Sequence, residues 1–413
     1  MVYKMLNIKT VTVVGANGTM GFNACAMFAS FGNAKVYMIS RDIQKSRNAI
    51  EKAIKAVRAE SIGSNLIACD YSKLEKCVGE SDLIFETVAE DMAIKTEITK
   101  LIGNYARDDA IIASGTSGLS INEISKALPL RLQKSYYGMH FFNPPYSMPL
   151  LELIPNDSCD PRLTLSVKQY LEQKLLRTVI VCSDKPAFIA NRIGFQFMNM
   201  ALQYAEKYKN EGGIDYIDAI LGPFSGRAMT PCATVDFVGL DVHKAIVDNV
   251  LNNTNDEKHG TFEIPEYVKR LISQGKLGKK TGCGLFKTTV DENGNKVKYV
   301  FSVKNNKYVL SKKYNFEFVN KMNNFLRNGD YDLAFNCLLS DKTREGTICR
   351  DFLRTYCEYS LFVAKEVGEK LSDVDDAMAA GFNWCPPLAL SNALFGTLYI
   401  TKYDYRSFFK AER

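Results

Sequence analysis

The sequence has only three histidines, no Cys-x-x-Cys pair, no long apolar run and no block of basic residues. Each absence removes a class of function. The opening stretch, MVYKMLNIKTVTVVGANG, holds no apolar segment long enough for a signal peptide or a membrane span, so no membrane partner is expected. The net charge of +6 is spread along the chain, so nothing is built to track a phosphate backbone and no nucleic-acid partner is expected. A mild excess of Lys and Arg still suits a small anionic ligand. The eleven cysteines are scattered and odd in number. They read as buried thiols of a reducing cytoplasm, with neither disulfides nor a metal site.

What is present is a soluble globular composition, 46% hydrophobic and 24% charged, on a chain of 413 residues. That length exceeds one ordinary core and predicts two or three domains. Strand-like runs at 8–14, 36–40, 64–69, 82–88, 110–114, 136–141 and 178–183 alternate with helical segments. This alternation predicts a parallel, doubly wound α/β sheet over residues 1–185. After Lys185 long helical stretches take over, at 186–287 and again at 316–413. Between them, 288–315 carries Asp-Glu-Asn-Gly turn residues and reads as a hairpin linker. The two helical parts echo one another. Asp215-Tyr-Ile-Asp218-Ala219-Ile220 resembles Asp373-Val-Asp-Asp376-Ala377-Met378, and PCATVDFVG (231–239) resembles PLALSNALFG (387–396). A duplication is expected, with the copies packed through 214–239 and 374–396.

GANGTMG (15–21) follows a strand and opens a helix. Gly15 permits the turn, Gly18 lets backbone N–H groups approach a pyrophosphate, and Gly21 lets helix and sheet pack. Ala16 stands where the dinucleotide pattern has its first glycine. Gly15, Ala16, Asn17, Gly18, Thr19, Met20 and Gly21 are therefore candidate cofactor contacts, with phosphate on the helix N-terminus. At the end of the second strand comes Ser40-Arg41-Asp42. If the strand ends at Ser40, Arg41 is free for a 2′-phosphate; a slip of two residues makes Asp42 the acid on the ribose.

Five segments resemble, in order, motifs of the L-3-hydroxyacyl-CoA dehydrogenases: LIFETVAEDMAIKTEI, ASGTSGLSI, HFFNPPYSMPLLELI, DKPAFIANRI and GKLGKKTGCGLF. The tail with VDDAMAAGFNW resembles the second helical domain of members fused to a crotonase-like hydratase. The resemblance implies a Rossmann-like sheet followed by two all-α domains of the kind that ends 6-phosphogluconate dehydrogenase. It implies NAD as cofactor, with NADP as the alternative, and an acyl-CoA substrate. His140 is implied as the general base and Glu152 as the group that orients it. Ser117 and Asn191 are implied to hold the substrate oxygen, and Glu90 and Lys95 to lie near the nicotinamide and its ribose. Asn143 and Lys280 are implied as further ligand contacts. Elementary chemistry agrees: oxidising an alcohol needs a base with a pKa near working pH, a carboxylate to orient it and donors for the nascent carbonyl. His243 and His259 have no partner motif and read as structural.

The sequence departs from the family at Gly115 and Gly118, where Asn and Ser are common. The basic arm after Arg41 is also short. Lys52, Lys55 and Arg58 could meet coenzyme A phosphates, yet fit a solvated helix face as well. A free 3-hydroxy acid or sugar acid is thus a competing substrate class, and a silent, crystallin-like protein is a competing reading from another class. With the helical domain duplicated in cis, a monomer or an oligomer unlike the family's dimer is expected.

Overall fold

The computed structural model describes residues 6–411; the first five residues, part of the opening stretch read above, and the last two lie outside the described residues. The chain divides into two compact units. One runs to Phe188 and takes in Glu366–Glu369; the other holds Ile189–Lys365 and the chain from Lys370 on.

The first unit is built on eight strands: β1 (Thr10–Val14), β2 (Lys35–Ser40), β3 (Leu66–Asp70), β4 (Leu83–Glu86), β5 (Ile111–Ser114), β6 (Tyr136–Phe141), β7 (Leu150–Pro155) and β8 (Thr178–Val181). Their order is β3-β2-β1-β4-β5-β6-β7-β8. β1 to β6 are parallel. They are near-continuous apolar runs because helices cover both faces. The topological switch lies between β1 and β4, and the crevice outside their carboxyl ends is where such sheets bind ligands.

The doubly wound parallel sheet is extended by β7, which runs antiparallel to β6. The cause is loop length. Residues 142–149 are too few for the dozen or so that a parallel crossover needs. They fold as a proline-rich turn in which Ser147 and Met148 donate to the Pro144 carbonyl. Helix Pro161–Gln173 then supplies a real crossover, and β8 lies parallel to β7.

Three helices frame the crevice: α1 (Thr19–Ser30), α2 (Ile43–Val57) and, after a short helix α3 (Leu74–Gly79), α4 (Met92–Tyr105). Gly15 adopts φ +91°, and a Cβ there would stand 2.5 Å from the Thr87 carbonyl oxygen. A Cβ on Gly21 would stand 2.3 Å from the Gly15 carbonyl. Gly15 is required by its positive φ and by the backbone of the loop after β4, and Gly21 by the close passage of α1 over the Gly15–Ala16 turn.

In the second unit, helix Ala190–Lys207 is buried along most of its length. Its Phe197 ring meets Phe352, Tyr356 and Trp384 edge-on. The buried Arg227 guanidinium lies 3.8 Å from the Phe197 centroid and 4.7 Å from that of Trp384. Cys385 N–H donates to the Gly226 carbonyl at 2.7 Å. Segments 214–239 and 374–396 therefore touch. The stretch read as a hairpin linker is corrected to a three-stranded antiparallel sheet: β9 (Phe286–Val290), β10 (Lys296–Ser302) and β11 (Lys307–Leu310).

The echo also shifts by one place. Asp218 accepts from Cys232 N–H at the start of helix Pro231–Val238. The residue that repeats this on helix Pro387–Phe395 is Asp375, through Leu388 N–H, and not Asp376. Each carboxylate also takes a threonine hydroxyl, from Thr230 and Thr401 respectively. Burial pushes both acids up, to about 6.

Candidate active site

His140 and Glu152 are direct cross-strand partners of β6 and β7. Paired residues on one face hold their Cβ atoms about 4.5–5.5 Å apart, within reach of a short side-chain bond. His140 Nδ1 lies 2.6 Å from Glu152 Oε2, and both residues are buried. A carboxylate accepts only, so Nδ1 carries a proton, and in the neutral ring the lone pair lies on Nε2. The imidazole is wedged between Phe142 and Phe188, with ring centroids 4.6 Å and 5.8 Å away. Phe188 is held at φ +48°, a region a non-glycine residue rarely adopts. The turn that follows His140 is pinned by the buried Arg177, which donates to the Pro145 carbonyl at 2.5 Å.

A second network fixes the loops after β4 and β5. Glu86, the last residue of β4, is 1% exposed and accepts from Lys95 Nζ at 3.0 Å, Val88 N–H at 2.6 Å and Ser114 Oγ at 2.6 Å. Glu90 accepts from Thr116 Oγ1 at 2.6 Å and Ser117 N–H at 2.7 Å, and lies 3.6 Å from Lys95 Nζ. Ser117 is thus positioned by Glu90. Lys95, expected near the nicotinamide and its ribose, is fully buried and pairs with both Glu86 and Glu90. Gly115 has a local cause, because a Cβ there would meet Phe85 Cζ at 2.7 Å.

The crevice opens into a cavity of about 640 Å³. Gly15, Asn17 and Gly18 line it after β1, and Thr87, Val88 and Ala89 after β4. Gly18 is informative. Its φ is −69° and a Cβ would find nothing closer than 3.5 Å, so the fold does not demand glycine there. A ligand lying against the loop would. The first turn of α1, Thr19 and Met20 included, leaves N–H groups without helical partners, as phosphate oxygens require. These residues fit a dinucleotide. Ala16 is buried beneath the loop rather than lining the cavity.

At the far end stand Ser40 and Arg41, and both line the cavity. Asp42, the alternative ribose acid, is not among the lining residues. It is the N-cap of α2, accepting from Gln44 N–H at 2.7 Å. Lys52 and Lys55 are exposed on α2, and Asn143 is exposed at the start of the proline turn. Asn191 and Lys280 belong to the second unit; Lys280 is paired with Asp241 at 2.6 Å, so its amine already has a counter-charge. His243 is buried with Nε2 3.0 Å from Asn199 Oδ1, and burial pushes it down to about 3. It is a neutral core residue. His259 is exposed.

Glu86, Thr116, Arg177 and Phe188 were not legible as site residues. Glu86 alone left a signal, an acid inside the apolar run LIFETV. Among the described residues no cluster of side chains could hold a metal ion, and no helix is long and apolar enough to cross a membrane.

The NAD-binding domain of 3-hydroxyacyl-CoA dehydrogenase matches residues 10–185, and the C-terminal domain of the same enzyme matches 188–288. A probable 3-hydroxyacyl-CoA dehydrogenase of Deinococcus radiodurans is 31% identical over 305 residues, 70% of this chain and 85% of its own length. One of Bacillus subtilis is 28% identical over 310 residues, but the match spans only 38% of that longer protein. The crystal structure of 3-hydroxybutyryl-CoA dehydrogenase from Escherichia coli superposes with a TM-score of 0.70 at 18% identity, covering 94% of this chain and 92% of that one. At that identity it speaks for the fold alone, and it includes the helices beyond residue 288. The chain belongs to the 3-hydroxyacyl-CoA dehydrogenase family of oxidoreductases and carries that family's NAD-binding domain.

Proposed function

We propose that the protein interconverts a short-chain 3-hydroxyacyl-CoA and its 3-keto form, with His140 as the proton acceptor. The observation that carries this reading is the buried His140–Glu152 pair, Nδ1 to Oε2 at 2.6 Å. When bound, NAD would accept the hydride that leaves C3 of the substrate. As the hydride leaves, the 3-hydroxyl proton passes to Nε2 of His140, whose protonated ring is stabilised by the Glu152 carboxylate. Phe142 and Phe188 keep water from the imidazole. Ser117, oriented through Glu90, donates to the developing carbonyl oxygen. Asn191 and Asn143 are assigned substrate contacts, and Lys280 a ligand contact, from the family resemblance alone. Lys52 and Lys55 are exposed cations available to coenzyme A phosphates. The eleven free cysteines suit a reducing compartment such as the cytoplasm.

The test is dinucleotide oxidation with acetoacetyl-CoA and with free acetoacetate. Turnover with the thioester is expected. Comparable turnover with the free acid would move the reading to a free 3-hydroxy acid. Absence of turnover with either, in a folded protein, would leave a binding protein. In a folded His140→Gln variant kcat should fall about 10²–10⁴-fold, the usual worth of a general base.

A further inference from the structure

The ribose end of the cavity differs from what an NAD-selective pocket requires. Selection for NAD rests on an acid at the end of the second strand that hydrogen-bonds the ribose hydroxyls and repels a 2′-phosphate. Here the last residue of β2 is Ser40, which has no charge. Its hydroxyl is turned to the protein, lying 3.0 Å from the Asp42 carbonyl and against the Ser46 hydroxyl. Ser46 is anchored in turn to the Cys69 carbonyl at 2.7 Å. Asp42 caps α2 and lies outside the lining.

Arg41, next to Ser40, lines the same cavity, is exposed, and has no ion pair among the described residues. A fork of five donors without an internal partner matches a phosphate. The first turn of α2 contains Lys45 and no acid. Two other groups share this end of the cavity. Tyr71 is neutral, its hydroxyl pushed up by burial and then by the Glu86 carboxylate. Glu97, exposed on α4, is the one acid of the lining, and α4 reaches the cavity beside it through Ile94, Ile98 and Leu101. Those apolar neighbours suit the adenine, not the ribose phosphate.

The geometry points to a pocket that binds the 2′-phosphorylated dinucleotide, NADP(H), at least as tightly as NAD(H), with Arg41 as the discriminating residue. This rests on the reading of the crevice as a dinucleotide site and does not depend on the acyl substrate. It is tested by fluorescence titration of the full-length protein with NADPH and NADH, and by calorimetry with 2′,5′-ADP and 5′-AMP, which lack the nicotinamide. No turnover is needed, so the result stands apart from the fate of the hydroxyacyl assignment.

NADPH should bind as tightly as NADH or better, and 2′,5′-ADP should bind more tightly than 5′-AMP. Arg41→Ala should weaken NADPH by roughly 10- to 100-fold, the worth of a charge-assisted contact, and NADH by far less. Arg41→Lys should restore part of the loss, because an ammonium keeps the charge without the fork. NADPH binding tenfold or more weaker than NADH in the unaltered protein would overturn the proposal. So would an Arg41→Ala variant that loses both ligands equally.

Discussion

Glu152→Gln is the sharpest perturbation of the proposed mechanism. It keeps the side chain's size and a hydrogen-bond acceptor against His140 Nδ1, and removes only the charge. The floor of the effect is the difference between a charge-assisted bond and a neutral one, about 1–1.5 kcal/mol, or roughly tenfold in rate. The ceiling is the Coulomb attraction that the imidazolium loses, about 4 kcal/mol at 4 Å in a medium of effective dielectric 20, or roughly 1,000-fold. Glu152 is fully buried and the bond is 2.6 Å, so the value should lie well above the floor. The assay is kcat for acetoacetyl-CoA reduction, with folding checked by circular dichroism. The double variant with His140→Gln adds a second reading. If Glu152 acts through the imidazole, the pair should be no slower than His140→Gln alone. A kcat within twofold of the unaltered protein, or losses that simply multiply, would refute the argument.

Three further outcomes follow from the geometry. Lys95→Met should cost about 3–5 kcal/mol in urea unfolding, because it strands the Glu86 charge in the interior; adding Glu86→Gln should recover much of it, and an unchanged midpoint would remove the pair from the stability argument. Asp218 and Asp375, raised to about 6, contribute stability present below the ordinary carboxylate range near about 4 and lost as pH rises through about 6. His243, lowered to about 3, acts the opposite way over the same window, so melts at pH 4 and pH 7 are compared with Asp218→Asn and Asp375→Asn, whose pH dependence should differ from the unaltered protein's in that sense. Deleting 316–413 strips Phe352, Tyr356 and Trp384 from Phe197 and Arg227, and light scattering should then find dimers or aggregate; a soluble monomer would count against a duplicated domain covering its twin in cis.

Much of the first unit was legible because its signals are local. The glycine loop, the apolar strands and the His140 motif each announce themselves within a few residues, and Glu152 lies one strand further on. What stayed hidden depends on pairing at a distance. The direction of β7 follows from the length of 142–149, which the run of apolar residues does not encode. Asp42 reads from sequence only as a ribose acid; in the fold it follows the rule that an Asp before a helix takes the N2 or N3 amide. Asp375 was passed over for Asp376 because two adjacent acids are equivalent in a string and distinct on a helix, where one faces the next helix's first turn. Nothing in the string shows that Lys95 pairs with Glu86, nine positions earlier.

The cross-strand pairing of His140 with Glu152 has a consequence for how such a site can change over time. The alignment of base and carboxylate is set by the ladder between two strands, where a slip of one residue would turn Glu152 to the opposite face. The antiparallel direction that makes this pairing follows in turn from the shortness of 142–149. Substitutions at exposed positions of that turn, such as Asn143 and Tyr146, can remodel the surface nearby while the ladder that holds the proton-transfer geometry stays fixed. Exposed turn positions can drift while the strand ladder holds the base and its carboxylate.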